Sequence, residues 1–394
     1  MKKKVMCIFG TRPEAIKMAP VVLGFKKYQA EFISIVVVTG QHREMLDQVL
    51  NLFEINPDYD LDVMSEEQTL KSVTIRILDR LDYILTVENP DLILVHGDTT
   101  TAFAAALAAF YKKIPIGHVE AGLRSFDIWN PYPEEFNRKA VDLVCSLHFA
   151  PTALAEKHLL CESVLPQSIF VTGNTGIDAL KLCIEKIEKN FLKKISDLII
   201  KIAETEFILI TAHRRENFGQ PLINFCYAIK KLALERKHLH FVYPVHMNPN
   251  VHNTVKNILS TIDNVHLFDP LDYPDFIYLI KHSLFVVTDS GGLQEEAPAL
   301  GKPVLVLRNV TERPEAVEAG TVKVIGTDTE IIYWWMVQLL DNKELFFQMA
   351  NSINPYGDGK ATERTIEAIR YFYEMQSLRP TPFSGSDFKP DGLG

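Results

Sequence analysis

One stretch decides the fold: LFVVTDSGGLQEEA, at residues 284–297. Its first five residues are apolar or β-branched, which is typical of a parallel strand covered on both faces. Ser290, Gly291 and Gly292 then form a turn in which the backbone can approach a ligand closely, just before a predicted helix. Glu296 falls about one turn into that helix, where a carboxylate can accept hydrogen bonds from both hydroxyls of a ribose. The stretch predicts an α/β unit with a phosphate site or, alternatively, a helix whose first-turn acids only stabilise its dipole.

The same plan of strand, polar turn and helix recurs along the chain. Predicted strands at residues 5–9, 91–96, 114–119 and 207–211 each run into a turn with charged residues. Alternating strands and helices predict an α/β fold with doubly wound parallel sheets. Because 394 residues exceed what one core usually fills, we expect two Rossmann-like domains, which would face each other across a cleft.

The domain boundaries are predicted from breaks in this pattern. The first domain is expected at residues 1–172, with residues 147–150 as its last strand and residues 169–176 as the hinge. The second domain is expected at 173–360. A final helix is predicted at 361–377. The Pro-, Ser- and Gly-rich tail at 379–394 is expected to be disordered.

Composition and motifs exclude several classes of protein. No apolar run approaches the ~18–20 residues that a membrane span needs. The net charge of −9 argues against nucleic acid as the main partner. Five scattered cysteines with no C-x-x-C pair indicate reduced thiols in a cytoplasmic protein and no zinc site. The chain has neither a G-x-G-x-x-G fingerprint nor a P-loop, H-E-x-x-H or serine-elbow motif. We therefore expect no cofactor and no metal.

The polar turns combine carboxylates with cations. Asp98 and Glu120 end buried strands, and Glu134 lies just beyond the second of them. Carboxylates that lie near one another or in apolar surroundings can exchange protons near neutral pH. Basic residues in other turns can hold a diphosphate and stabilise its charge as it leaves. This combination suits chemistry at a sugar joined to a nucleotide diphosphate, although Lys17 read alone fits a solvated surface charge better than a site residue.

Several motifs closely resemble the bacterial non-hydrolysing UDP-N-acetylglucosamine 2-epimerases, in order and with similar spacing, over residues 4–375. They are FGTRPEAIK (9–17), HGDTT (96–100), HVEAGLR (118–124), PEE (133–135), HRRE (213–216), DSGG (289–292), QEEAP (294–298) and TERPE (311–315). The resemblance implies a glycosyltransferase-B-like fold in which the last helix packs back on the first domain. It also implies interconversion of UDP-GlcNAc and UDP-ManNAc without NAD, by anti elimination of UDP and its re-addition, and a homodimer formed through the first domain.

Site residues follow from the resemblance, motif by motif. The catalytic set is Asp98, Glu120, Glu134 and His213, with two of the carboxylates acting on opposite faces of C2 and their order open. The substrate-binding set is Arg12, Lys17, Phe276 (through its backbone, at the uracil), Ser290, Gly291, Gly292, Glu296 and Arg313. Some members bind a second UDP-GlcNAc as activator, and here Gln41, Gln68, Arg215 and His246 match that site. Glu44 and Glu67 replace a glutamine and an arginine of those members.

The sequence is also compatible with three other functions. One is a 2-epimerase of a modified UDP-sugar. Another is a retaining glycosyltransferase on the same fold, and the third is a UDP-sugar sensor without activity. The intact carboxylates and His213 weigh against a sensor, because binding alone does not require them. An epimerase would supply ManNAc for a cell-surface polysaccharide.

Overall fold

The computed structural model describes residues 2–40, 43–64, 69–189, 195–311 and 313–385. The described chain divides into two compact units. Unit 1 runs to Leu182 and resumes at Tyr356–Ser384, and unit 2 comprises Cys183–Pro355. The division falls within a helix, Thr175–Lys189, and the predicted boundary after residue 172 lies just before that helix.

Unit 1 is built on a seven-stranded sheet in the order β3-β2-β1-β4-β5-β6-β7, and every pairing in it is parallel. Its apolar strands are buried on both faces, as the continuous hydrophobic runs predict. The strands are β1 Lys3–Phe9, β2 Phe32–Val38, β3 Tyr59–Asp60, β4 Leu92–His96, β5 Ile116–Val119, β6 Leu147–Ala150 and β7 Ile169–Val171.

The helices of unit 1 connect these strands and flank the sheet. The first begins with a capping box, in which Thr11 and Glu14 bond each other's backbone, and Pro13 lies in its first turn. The helices are α1 Arg12–Phe25, α2 Arg43–Phe53, α3 Leu70–Glu88, α4 Thr100–Tyr111, α5 Glu134–Val144, α6 Ala153–Cys161 and the start of α7 Thr175–Lys189.

The last helix, Ala361–Phe372, packs on α1 within unit 1. A Cβ at Gly24 of α1 would lie 2.6 Å from Thr362 and 2.7 Å from Ile366, so the close approach of the two helices requires a glycine there. Asp178 of α7 accepts the N–H groups of Ala361 and Thr362 at 3.2 and 2.8 Å. These bonds attach the start of the last helix to α7.

The segment that follows the last helix covers the edge strand β7. The Phe383 N–H donates to the Val171 carbonyl at 2.8 Å, and the Phe383 side chain is buried. Arg379 donates to the Ile169 carbonyl and lies 4.3 Å from the ring of Phe170. Residues 379–385, the first part of the predicted disordered tail, thus have defined contacts, and residues 386–394 lie outside the described part of the chain. β7 itself corrects the prediction that β6 is the last strand and that a hinge starts at residue 169.

Unit 2 is built on a six-stranded parallel sheet in the order β10-β9-β8-β11-β12-β13. The strands are β8 Phe207–Thr211, β9 His240–Pro244, β10 Val265–Phe268, β11 Val286–Thr288, β12 Val304–Val306 and β13 Val322–Val324. The helices are α8 Asp197–Ala203, α9 Gln220–Glu235, α10 Pro249–Leu259, α11 Tyr273–His282, α12 Leu293–Ala299, α13 Pro314–Ala319, α14 Thr329–Asp341 and α15 Lys343–Ala350.

The stretch at residues 284–297 forms β11, a turn and α12, with β11 between β8 and β12 inside the sheet. Phe285 and Val287 belong to the core of unit 2 and are completely buried. Each unit is therefore a parallel sheet with flanking helices, which confirms the predicted α/β class and the two Rossmann-like domains. No helix in the described parts of the chain is long and apolar enough to cross a membrane.

Candidate functional site

Glu120 is the centre of the polar residues in unit 1. It follows β5 directly and has a φ of 69°, a left-handed conformation that is strained for a residue with a side chain and is common at functional sites. Its Oε2 atom accepts from the Lys17 ammonium and, at 3.0 Å, from the Asn174 amide. The structure thus brings together two predicted residues, Glu120 and Lys17, and shows Lys17 in a largely buried ion pair rather than as a solvated charge.

Asp98 lies at the end of the neighbouring strand. It follows β4 after Gly97, and its carboxylate forms an ion pair with Arg138 of α5. Asn137 donates to the Asp98 carbonyl at 2.9 Å. Because β4 and β5 are adjacent and parallel, Asp98 and Glu120 stand at the same edge of the sheet, where open α/β sheets bind ligands.

Glu134 is the first residue of α5 and is half-buried. The fully buried carboxylate of this turn is its neighbour Glu135, which accepts the N–H groups of Ser125 and Phe126 at 3.0 and 3.2 Å. Glu135 therefore holds the loop that joins Glu120 to Glu134. Arg12 is the first residue of α1, at the carboxyl end of β1, and is also half-buried.

His118 supports the Asp98 turn from within the sheet. Its Nδ1 lies 2.6 Å from the Asp142 carboxylate and its Nε2 lies 2.7 Å from the Gly97 carbonyl. Both of these oxygens accept hydrogen bonds, so a protonated nitrogen on either side of the ring has a partner. Arg124 donates to the other Asp142 oxygen at 2.7 Å. The HVEAGLR motif thus supplies a structural ion cluster as well as Glu120.

His213 lies directly above a buried carboxylate in unit 2. The N–H groups of His213 and Arg214 and the amide of Asn217 donate to Asp289 at 2.8–3.1 Å. The His213 Nδ1 is 3.5 Å from the same carboxylate, and the ring stacks on His246 at 5.6 Å. Burial lowers the pKa of His213, and the neighbouring His246 and Arg214 add to this effect against the opposing charge of Asp289. The ring is therefore predominantly neutral at neutral pH and can both give and take a proton.

Two guanidinium groups converge on the turn after β11. A Cβ placed on Gly291 would lie 3.5 Å from Arg214 Nη2 and 3.9 Å from Arg313 Nη2. Arg313 is fixed by the buried Glu295, whose Oε1 accepts its Nε–H at 2.5 Å. Two cations beside a backbone without side chains form a suitable place for a diphosphate. The predicted residues Ser290, Gly291, Gly292 and Arg313 thus come together.

The remaining predicted residues lie elsewhere in unit 2 or outside the described part of the chain. Glu296 lies in α12 and accepts from the Tyr273 hydroxyl at 3.3 Å. Phe276 lies in the first turn of α11, and its N–H donates to the Asp272 carbonyl at 3.0 Å, so the helix already uses this donor. Arg215 is in a short helical turn and His246 is exposed. Gln41, Gln68 and Glu67, and the side chain of Glu44, lie outside what the structure describes.

Four residues in contact with predicted ones were not singled out from the sequence: His96, Arg138, Asn174 and Asp289. His96 and Asp289 lie inside the HGDTT and DSGG motifs and Arg138 lies three residues after PEE, so position alone would have suggested them. Asn174 lies 54 residues from Glu120, and no local pattern connects the two. Within the described residues, no group of three or more His, Cys, Asp or Glu side chains could hold a metal ion.

Comparison with known proteins agrees with these motifs. A family model described as UDP-N-acetylglucosamine 2-epimerase matches residues 26–370. The UDP-N-acetylglucosamine 2-epimerase of Bacillus subtilis is 50% identical over 386 residues, with 98% of this chain and all of the relative covered. The crystal structure of the Neisseria meningitidis UDP-GlcNAc 2-epimerase bound to UDP-GlcNAc superposes with a TM-score of 0.86 at 49% identity, covering 93% of this chain and 99% of that one. A Staphylococcus aureus structure with UDP has the same TM-score and identity over 97% of this chain and all of that one. The chain therefore belongs to the UDP-N-acetylglucosamine 2-epimerase family.

Proposed function

We propose that this chain interconverts UDP-GlcNAc and UDP-ManNAc without hydrolysing them. Relatives that are about 50% identical over nearly the whole chain are named UDP-N-acetylglucosamine 2-epimerase, and the crystal structure of one relative holds UDP-GlcNAc. The observation within the molecule that supports the proposal best is Glu120, a strained and largely buried carboxylate that faces Lys17 and Asn174. Such a group suits proton transfer at a carbon atom, which simple binding of a nucleotide sugar would not require.

The proposed reaction begins with an elimination. One carboxylate takes the proton from C2 of the sugar, a C1–C2 double bond forms, and the bond between C1 and the diphosphate oxygen breaks. The products held by the enzyme are 2-acetamidoglucal and UDP. A second carboxylate then protonates C2 on the other face and UDP re-adds at C1, so atoms and electrons balance without a redox cofactor.

The residues of unit 1 are proposed to carry the proton chemistry. Glu120 and Asp98 end adjacent strands, and each is paired with its own cation, Lys17 and Arg138. Carboxylates held in this way can act as general bases towards a substrate proton. Glu134 is the third candidate, and Arg12 is proposed to contact the diphosphate.

The residues of unit 2 are proposed to hold UDP. Arg313 and the backbone at Ser290, Gly291 and Gly292 would bind the diphosphate, Glu296 the ribose hydroxyls and Phe276 the uracil. His213 would donate a proton or a hydrogen bond to the departing diphosphate, and Asp289 beneath it is suited to stabilise the protonated ring. Arg215 and His246, with Gln41 and Gln68, are retained as candidates for an activator site.

We further propose a homodimer formed through the outer face of α3, α4 and α5. These helices pack side by side and expose large apolar side chains, including Tyr83 at 70%, Tyr111 at 70% and Leu143 at 85%. Apolar surface of this kind commonly marks a protein interface. The location is proposed to be cytoplasmic, where UDP-sugars for surface polysaccharide are made, with neither nucleic acid nor membrane as a partner.

Leu143→Asp is expected to convert this dimer to monomers, because it places a charge in an apolar interface. Sedimentation velocity of the wild type and the variant measures the change. Leu165→Asp is the matched control, since Leu165 is a leucine of unit 1 that is also largely exposed, at 61%, but lies outside α3, α4 and α5. A monomeric wild type, or a Leu143→Asp variant that sediments as a dimer, would contradict this arrangement.

The activity is tested by proton NMR of UDP-GlcNAc incubated with the protein in D2O without NAD. We expect UDP-ManNAc to appear, with deuterium at C2 of the sugar, because the C2 proton exchanges with solvent on a carboxylate. Free ManNAc with UDP would show a hydrolysing enzyme instead. If UDP-GlcNAc binds but its spectrum stays unchanged, the proposed activity is contradicted. That result would favour an epimerase of a modified UDP-sugar or a UDP-sugar sensor.

A further inference from the structure

His96 is a buried histidine whose ring has no hydrogen-bond partner among the described residues. It is the last residue of β4, it is 4% exposed, and both ring nitrogens are buried without a partner. A neutral imidazole has one donor and one acceptor, and leaving both unpaired inside a protein is costly. The buried histidines His118 and His148 of the same sheet bond to protein oxygens at 2.6–2.9 Å. Packing alone therefore does not explain why a histidine occupies position 96.

The ring of His96 faces Glu120. Its Nε2 lies 3.8 Å from Glu120 Oε2, the same oxygen that accepts from Lys17 and Asn174. The separation exceeds a hydrogen bond, but a movement of about 1 Å would form one. The groups that face Glu120 include Lys17 from α1, His96 from β4 and Asn174 from the segment before α7, and His118 lies in β5 itself.

The charge and tautomer of His96 follow from these neighbours. Burial lowers the pKa of His96 to about 4, and Lys17 and His118 add to this effect while Glu120 opposes it, so the ring is neutral at neutral pH. A proton on Nε2 points at the carboxylate and is attracted to it. A proton on Nδ1 would instead turn the Nε2 lone pair towards the carboxylate. The Nε2–H tautomer is therefore the favoured one.

We propose that His96 is a positioning residue for Glu120, a neutral donor that approaches and bonds Oε2 when Glu120 is ionised and withdraws when Glu120 carries a proton. The inference rests on the proposed epimerase function. Lys17 supplies a fixed charge to the carboxylate, whereas His96 supplies a hydrogen bond without adding charge. Since a hydrogen bond to the ionised form favours that form, His96 lowers the pH at which Glu120 becomes able to take the C2 proton.

Two variants that differ by one methylene group test this role. His96→Gln places an amide donor near the position of Nε2, while the amide of His96→Asn lies near Nδ1 and does not reach Glu120. We measure kcat and KM for conversion of UDP-GlcNAc to UDP-ManNAc as a function of pH, together with thermal unfolding. His96→Asn is expected to lower kcat about tenfold at neutral pH and to shift the acidic limb of the kcat profile up by about one pH unit. His96→Gln is expected to keep much of the wild-type kcat and an acidic limb close to that of the wild type. In both variants KM should change less than kcat.

His148→Asn is the control, because it removes another buried imidazole of the same sheet, one that bonds the Asp142 carbonyl. It should affect thermal unfolding and leave the acidic limb in place. A His96→Asn profile with an unshifted limb, or equal profiles for the two His96 variants, would overturn the positioning role. An inactive wild type would overturn the proposed function as well, so the two failures are distinguishable.

Discussion

Glu120→Gln is expected to lower kcat for epimerisation by about a thousandfold, within the range found for general acid–base groups. Glutamine keeps the shape of the side chain and an acceptor oxygen for Asn174, but it cannot take a proton from carbon. UDP affinity, measured by calorimetry, should stay within about threefold of the wild type, because the residues proposed to hold UDP belong to unit 2. Deuterium incorporation at C2 should fall together with kcat.

Glu88→Gln provides the control for this variant. It removes another carboxylate of unit 1, one that pairs with Lys4, and should change kcat by no more than about twofold. A Glu120→Gln enzyme with more than about a tenth of wild-type kcat would show that another group carries the proton.

Lys17→Met extends the Glu120 experiment to a double-mutant cycle. Lys17 is expected to act largely through its ion pair with Glu120. Its removal should therefore reduce kcat strongly in the wild type and only slightly in the Glu120→Gln background. Additive losses would instead indicate that Lys17 contacts the substrate independently of Glu120.

Local sequence predicted the strand-end residues well. Continuous apolar runs indicate buried parallel strands, and the residue after each run must then lie at the carboxyl edge of the sheet. This reasoning placed Asp98, Glu120 and Ser290 at strand ends, where the structure has them. The side chains that surround Glu120 could not be read in the same way. Lys17 and Asn174 are 103 and 54 residues away from it, and only the folded chain brings them together.

Short elements were the part of the fold that local patterns missed. Ile169–Val171 is a strand of three residues followed closely by Gly173, and such a run resembles a linker. It is a strand because β6 pairs with it on one side and the segment around Phe383 covers the other. The composition around Phe383 is rich in proline, serine and glycine, which predicts disorder. One buried phenylalanine and one arginine that bonds carbonyl groups are enough to attach residues 379–384 to unit 1.

The ion cluster beneath Asp98 gives the largest expected effect on stability. Asp142→Ala is expected to lower the free energy of unfolding by about 3–5 kcal/mol, because it removes the carboxylate that pairs with the buried Arg124 guanidinium and the buried His118 ring. Burial alone would raise the pKa of Asp142. The charge and hydrogen bond of His118 and the charge of Arg124 outweigh burial and lower the pKa to about 2. His118 also bonds the Gly97 carbonyl. Removal of the Asp142 carboxylate should therefore loosen the turn that carries Asp98 and lower kcat.

The pH dependence of unfolding distinguishes this cluster from a general loss of packing. A carboxyl group whose pKa is lower in the folded state stabilises the protein above its unfolded pKa, and this contribution is lost as the pH falls through the folded value. The difference between wild type and Asp142→Ala in urea unfolding should therefore be constant near neutral pH and shrink between about pH 4 and pH 2. Glu162→Ala is the matched control, since Glu162 also pairs with Arg124 but is 30% exposed, and it should cost only about 0–1 kcal/mol. A difference for Asp142→Ala that persists unchanged into acid would assign the loss to the missing side-chain volume instead of the ion pairs.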